Sequence, residues 1–173
     1  LQEDMLLETN ACMPVTLLGK AKCMLSDYVL GLDLVSVVHL RIFYPYSLVP
    51  RPGTLLDHLR CAYLDGSSIF RMSSGVQCRD FFSVHFLASI ILDIAINQHA
   101  FRGILNIGSG QPTTVLSLVN AYTDFLGYKP SLHRGFYPLP PYEPTNFWAS
   151  TSSLASYLAT FNIPTSPIHC LPL

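Results

Sequence analysis

Apolar residues recur at intervals of three and four from Leu17 to Leu30: Leu17, Leu18, Ala21, Met24, Leu25, Tyr28 and Val29. That spacing predicts an amphipathic helix, and Gly31 supplies its stop. The period then changes. From Leu34 to Phe43 the chain is β-branched and almost continuously apolar, the pattern of a strand buried on both faces of a parallel sheet. A helix leading directly into a buried strand predicts an α/β fold.

Pro45, Pro50, Pro52 and Gly53 mark a loop, after which Thr54 is placed to cap a helix to about Leu64, closed by Asp65 and Gly66. A short strand, Ile69 to Met72, and a turn at Ser73 to Gly75 follow. Ser83 precedes a helix from Val84 to Asn97 in which His85, Ser89, Asp93 and Asn97 fall four apart. These four share one narrow wet stripe and the other sides are apolar, so the helix is expected to be nearly buried. Next come a strand at Gly103 to Ile107, a turn at Gly108 to Gly110, and a helix from Val115 to Leu126. Thr113 or Thr114 is its cap and Gly127 its stop. The proline-rich tail carries one weak helix near Ser152 to Ala159.

At 173 residues the chain can bury one substantial core. Ten Lys and Arg against eleven Asp and Glu leave a net charge of −1, with no basic footprint for nucleic acid. Only 12% of residues are charged against about 25% in ordinary soluble domains, while mean hydropathy is +0.36. Some apolar surface is therefore expected to lie against protein outside this sequence. A membrane span does not explain it, because Ser83, His85, Ser89 and Asp93 interrupt the most apolar stretch, Phe81 to Ile96. The chain opens on Leu1 with no signal-peptide pattern, which reads as an internal position of a longer, cytoplasmic protein. Cys12, Cys23, Cys61, Cys78 and Cys170 show neither paired nor metal-ligand spacing and are expected to be reduced, mostly buried thiols.

Gly108-Ser109-Gly110 follows a strand and opens a helix, where a dinucleotide-binding turn would sit. The match is poor: the third glycine is replaced by Thr113, and Asp124 falls inside the following helix instead of ending a strand. A Ser-His-Asp hydrolase lacks its nucleophile elbow. His85 and Asp93 fit the polar stripe of a helix, and His39 fits a hydrogen-bonded core histidine.

Several segments taken in order carry a more specific signal. Leu40-Arg-Ile-Phe-Tyr-Pro-Tyr46 is similar to an "LRxFNxYG" strand end, and Gly75-Val-Gln-Cys-Arg-Asp-Phe-Phe-Ser-Val84 to a "GxQxRDFxxV" segment. Asn106-Ile-Gly-Ser-Gly110 is similar to "NIGSG", and Glu143-Pro144 with Ala149-Ser-Thr-Ser152 to a closing segment of the same family. The chain resembles, from Glu8 to about Leu158, the extended short-chain dehydrogenase family, the NAD(P)-dependent epimerases, dehydratases and reductases of nucleotide sugars.

The resemblance implies an α/β fold: the C-terminal part of a Rossmann-type parallel sheet plus the smaller substrate-binding domain. Residues 1–45 would be the last helix and strand of the sheet part and residues 46–173 the substrate part, with strand 103–107 a candidate to return to the sheet. It implies NAD or NADP as cofactor, a nucleotide sugar as substrate, and another subunit or an N-terminal domain to complete the fold. Arg79 corresponds to a residue that reaches substrate phosphates, Tyr44 and Tyr46 lie on the substrate side, and Pro45 and Lys22 on the cofactor side.

The family's Tyr-x-x-x-Lys pair, in which lysine makes a phenol basic enough to move a proton, is incomplete. Lys22 is in register, but the tyrosine position holds Leu18. Thr16 with Lys20 is too weakly acidic a substitute, and Tyr28 lies ten residues on from Leu18, about 15 Å along the helix. The strand-end asparagine is Tyr44, the glycine after the next tyrosine is Ser47, and Phe86 stands for a helix-opening aspartate. The expected function is a partial or degenerate nucleotide-sugar epimerase, dehydratase or reductase, inactive on its own. The alternative is a non-catalytic remnant that binds a partner through its exposed sheet face.

Overall fold

The computed structural model describes residues 4–32, 37–97, 103–165 and 167–173. In chain order the elements are β1 (Asp4–Leu6), α1 (Leu17–Gly31), β2 (Val38–Ile42), β3 (Tyr44–Tyr46), α2 (Leu55–Leu64), β4 (Ile69–Arg71), β5 (Cys78–Arg79) and β6 (Phe81–Ser83). They continue with α3 (Val84–Asn97), β7 (Gly103–Ile107), β8 (Thr113–Thr114), α4 (Val115–Phe125), β9 (Ser131–His133), β10 (Phe147–Ala149) and α5 (Ser152–Phe161).

The helices start where hydroxyl side chains can satisfy their first amides. Thr16 Oγ1 accepts from Gly19 N at 3.1 Å, Thr54 Oγ1 from Asp57 N at 3.4 Å, and Thr114 Oγ1 from Ser117 N at 3.0 Å. Each such cap stabilises its helix by about 1 kcal/mol. Ser83 Oγ accepts from His85 N at 3.1 Å at the start of α3. Asn162, left-handed at φ 52, closes α5 two residues beyond the expected end.

Strand pairing is mostly parallel. β2 pairs with β7, bringing Val38 opposite Gly103 and Ile42 opposite Ile107. β1 pairs with β10, β3 with β6 and β4 with β9, all parallel, whereas β5 and β8 run antiparallel. The chain is therefore a mixed α/β protein whose strand pairs are bridged by helices.

β6 is the seam between two cores, because successive side chains of a strand point to opposite faces. Phe81 joins Leu56, Leu59, Phe70, Leu118, Val119 and Tyr122, the core between α2 and α4. Phe82 joins Phe86, Ile90, Leu105, Ile107 and Leu154, the core of α3, β7 and α5. Burying each large side chain contributes about 1.5–3 kcal/mol.

Several expectations are corrected. The strand predicted from Leu34 starts at Val38, residues 33–36 lying outside the described ones, and it is not buried on both faces: Val38 to Arg41 are half-buried and Ile42 is exposed. Among the described residues β2 has β7 as its one ladder partner. Pro45, read as loop, lies in β3, where its missing N–H is harmless because Tyr44 and Tyr46 flank it in a three-residue pair. Helix α3 is not nearly buried. Phe86 and Ile90 face the core, while Ile91, Leu92 and Ile96 are exposed and Asp93, placed on the wet stripe, is half-buried. The side chain of Asn97 lies outside the described residues. The cysteines are not mostly buried: Cys12, Cys61 and Cys170 are exposed and Cys23 and Cys78 half-buried, since they fall on helices α1 and α2, a strand and connecting segments at the surface rather than in either core.

A candidate ligand-binding site around Arg79

Parallel pairing of β3 with β6 sets Tyr44 opposite Phe81 and Tyr46 opposite Ser83. β5, immediately upstream of β6, places Arg79 beside that pair, and Tyr44 N donates to Asp80 O at 3.1 Å. The result is a cavity of about 630 Å³ whose walls include Tyr44, Tyr46, Gln77, Arg79, Phe81 and Glu143, with Arg51 at its rim. Pro45 also lines it. Four residues singled out in the sequence, Tyr44, Pro45, Tyr46 and Arg79, thus meet around one space.

Arg79 is 2% exposed and fully engaged. Nη1 donates to Cys78 O at 2.8 Å and Thr145 O at 2.9 Å, and Nη2 donates to Glu143 at 2.5 Å. The guanidinium lies 4.6 Å from the centre of the Phe147 ring and 5.8 Å from that of Tyr44. A planar cation held by carbonyls, a carboxylate and two aromatic faces is well placed to recognise an anion in the cavity, provided Glu143 shares or releases Nη2. The Glu143 side chain is 35% exposed, so it has room to move.

Asp80, which sequence reading offered as a partner for Arg79, does something else. It is fully buried and accepts four hydrogen bonds: from Ser109 N at 2.6 Å, Ser109 Oγ at 2.7 Å, Gly110 N at 3.1 Å and Ala149 N at 2.9 Å. A Cβ on Gly108 would stand 2.4 Å from Asp80 Oδ2, so the turn approaches this closely because glycine occupies it. Here is the physical link between the Arg-Asp-Phe and Asn-Ile-Gly-Ser-Gly segments: the carboxylate of one fills the amide nest of the other. The same contact decides the fate of the candidate phosphate turn at Gly108 to Gly110, since the amides of Ser109 and Gly110 are taken by Asp80 and do not cradle a dinucleotide phosphate.

Tyr46 is buried, and its hydroxyl accepts from Cys170 N at 3.0 Å and Leu171 N at 3.1 Å. It fastens the C-terminal tail across β3. Burial, outweighing the two amide donors, pushes its pKa up to about 12, so it does not transfer protons near neutrality. His39 is half-buried, and burial with the nearby Arg41 pushes its pKa down. Asn106 is buried and spends its amide group on the N-terminal segment, Nδ2 donating to Leu6 O at 2.8 Å.

Lys22 and Leu18 are not part of this constellation. Both are exposed on α1, Leu18 at 67%, and neither lines the cavity. Among the described residues no group of three or more His, Cys, Asp or Glu could hold a metal ion, and no helix is long and apolar enough to cross a membrane.

The chain is similar in sequence to a curated UDP-glucose epimerase and in fold to solved nucleotide-sugar epimerases and dehydratases in complex with NAD. It is 28% identical over 124 residues to an uncharacterised UDP-glucose epimerase, YtcB, of Bacillus subtilis (strain 168), covering 72% of this chain and 39% of that protein. Its fold matches MoeE5 in complex with UDP-glucose and NAD at a TM-score of 0.76 and 21% identity, over 95% of this chain and 55% of that one. It matches the dTDP-glucose 4,6-dehydratase of Bacillus anthracis str. Ames in complex with NAD at a TM-score of 0.74 and 16% identity, over 95% and 51%. No family model matches the sequence. The chain thus spans about half the length of the solved structures and less of the curated relative.

Proposed function

We propose that this chain is the substrate-binding portion of an NAD-dependent nucleotide-sugar epimerase or dehydratase, degenerate at its proton-transfer position and inactive by itself. Residues 1–45 belong to the sheet side, where β7 joins β2, and residues 46–173 to the substrate side. The observation that carries this reading is the cavity in which Arg79, packed on the Phe147 ring, meets Tyr44, Tyr46 and Phe81, a cation and aromatic side chains suited to a sugar nucleotide.

The described residues do not form a dinucleotide site. The one turn of suitable pattern is filled by Asp80, and Lys22 is exposed on α1, away from the cavity. Contacts to NAD, which the compared structures contain, come on this reading from protein outside the sequence. Leu18 has no proton to give, and Tyr46 holds its own too tightly to replace a catalytic phenol. The chain therefore binds its ligand without converting it.

Calorimetric titration tests this directly. UDP-glucose is expected to bind saturably, Arg79→Lys to weaken it about tenfold by losing the planar fork, and NAD to give no heat of binding. Micromolar NAD binding by this chain, or no UDP-glucose binding at millimolar concentration, would overturn the proposal.

A further inference from the structure

Gln77 lies two residues before Arg79, 7% exposed, on the wall between two spaces. One is the cavity that holds Arg79. The other, also about 630 Å³, is lined by His58, Phe70, Arg71, Met72, Ser73 and Tyr137. Leu55, Gln77 and Val115 line both, so the spaces adjoin at this side chain.

The backbone of Gln77 is satisfied, its carbonyl accepting from Val115 N at 3.0 Å. The side-chain amide is half satisfied. Nε2 donates to Ser73 Oγ at 3.1 Å, and Oε1 has no hydrogen-bond partner among the described residues. A buried amide end without a partner destabilises the empty protein, which is tolerated at a site that a ligand completes.

The two spaces differ in character. Arg79 gives the first a group for an anion, and the second sets the rings of Phe70 and Tyr137, able to face a flat ring, beside the polar His58 and Arg71. In a nucleotide, the group between ring and phosphate is the ribose, whose hydroxyls both donate and accept and so match whichever amide end is open. We infer that Gln77 is a specificity residue, turning its amide to hydrogen-bond a ribose hydroxyl of the bound nucleotide. The inference rests on the nucleotide-sugar reading above and adds the residue that reads the sugar.

The test compares UDP with 2′,3′-dideoxyuridine diphosphate on the full chain and on Gln77→Met, which keeps the shape and removes the amide. The unsubstituted chain is expected to lose about tenfold in affinity for the dideoxy compound. Gln77→Met should bind both compounds alike, at the weakened level, and melt no lower than the parent because an unpaired polar group has been removed. A lower melting temperature with unchanged UDP affinity overturns the inference and makes Gln77 a structural amide, leaving the nucleotide reading intact. Equal affinity of the parent chain for the two compounds also overturns it, whether or not the variant folds. Failure of the parent to bind UDP at all removes both readings together.

Discussion

Helices α4 and α1 carry the same kind of amphipathic pattern and meet opposite fates. α4 buries Val115, Leu118, Val119, Ala121 and Tyr122 against α2, β4 and β6. α1 buries Ser26 and leaves Leu17, Leu18, Met24, Leu25 and Tyr28 between 61% and 86% exposed. Periodicity alone does not distinguish them. What distinguishes them is whether the rest of the described fold offers a complementary face, and only the α4 side does. The low charge content of the chain is concentrated in its consequences at α1, where apolar residues have no cover.

Between these two regions the Asp80 clasp ties β5 and β6 to the 108–110 turn and β10, so it is where the covered half is most easily broken. Asp80→Ala would strand several buried amides, and urea unfolding should show a loss of about 4 kcal/mol or an unfolded chain. The comparison of the helices is sharpened by truncating matched leucines. Leu118→Ala, at a position 3% exposed, should cost about 3 kcal/mol, whereas Leu25→Lys, at 61% exposed, should change stability by less than about 0.5 kcal/mol while reducing self-association in sedimentation. Equal costs would mean that α1 is covered in solution.

Tyr46→Phe removes the acceptor for two tail amides and should cost about 1 kcal/mol at neutral pH. Its pH dependence has a definite sign. The folded pKa, about 12, lies above the ordinary value of 10.0, so the folded state retains the proton that the unfolded state gives up. The stability linked to this group is fully present below pH 10 and lost as pH rises towards about 12. Melting temperatures between these limits should fall less steeply in Tyr46→Phe than in the parent. Tyr122 and Tyr157, whose pKa values burial also pushes up, add slope of the same sign in both.

The long elements were legible because each repeats its own period many times: α1, α2, α4 and the run into β2 are visible as patterns, with caps read at Thr54 and at Thr113 or Thr114, while the Thr16 cap of α1 emerged only from the structure. β1, β3, β8, β9 and β10 were not, since two or three residues contain no period and their partners lie far along the chain. The site was half legible. Tyr44, Tyr46 and Arg79 stood out through ordered motifs, but nothing local marked Glu143 as the partner of Arg79 or showed that Tyr46 spends its hydroxyl on the tail.

The sequence by itself determined where most of the helices lie, the parallel α/β class and the family resemblance carried by the Arg-Asp-Phe and Asn-Ile-Gly-Ser-Gly segments, because propensity, capping and motif spacing are local quantities. Only the tertiary structure decided which apolar faces are covered, that Asp80 fills the turn at Ser109 and Gly110, and that the amide of Gln77 is left half matched between two cavities. Those outcomes depend on which distant segments pack together, and burial and hydrogen-bond satisfaction are properties of that packing rather than of any stretch of chain.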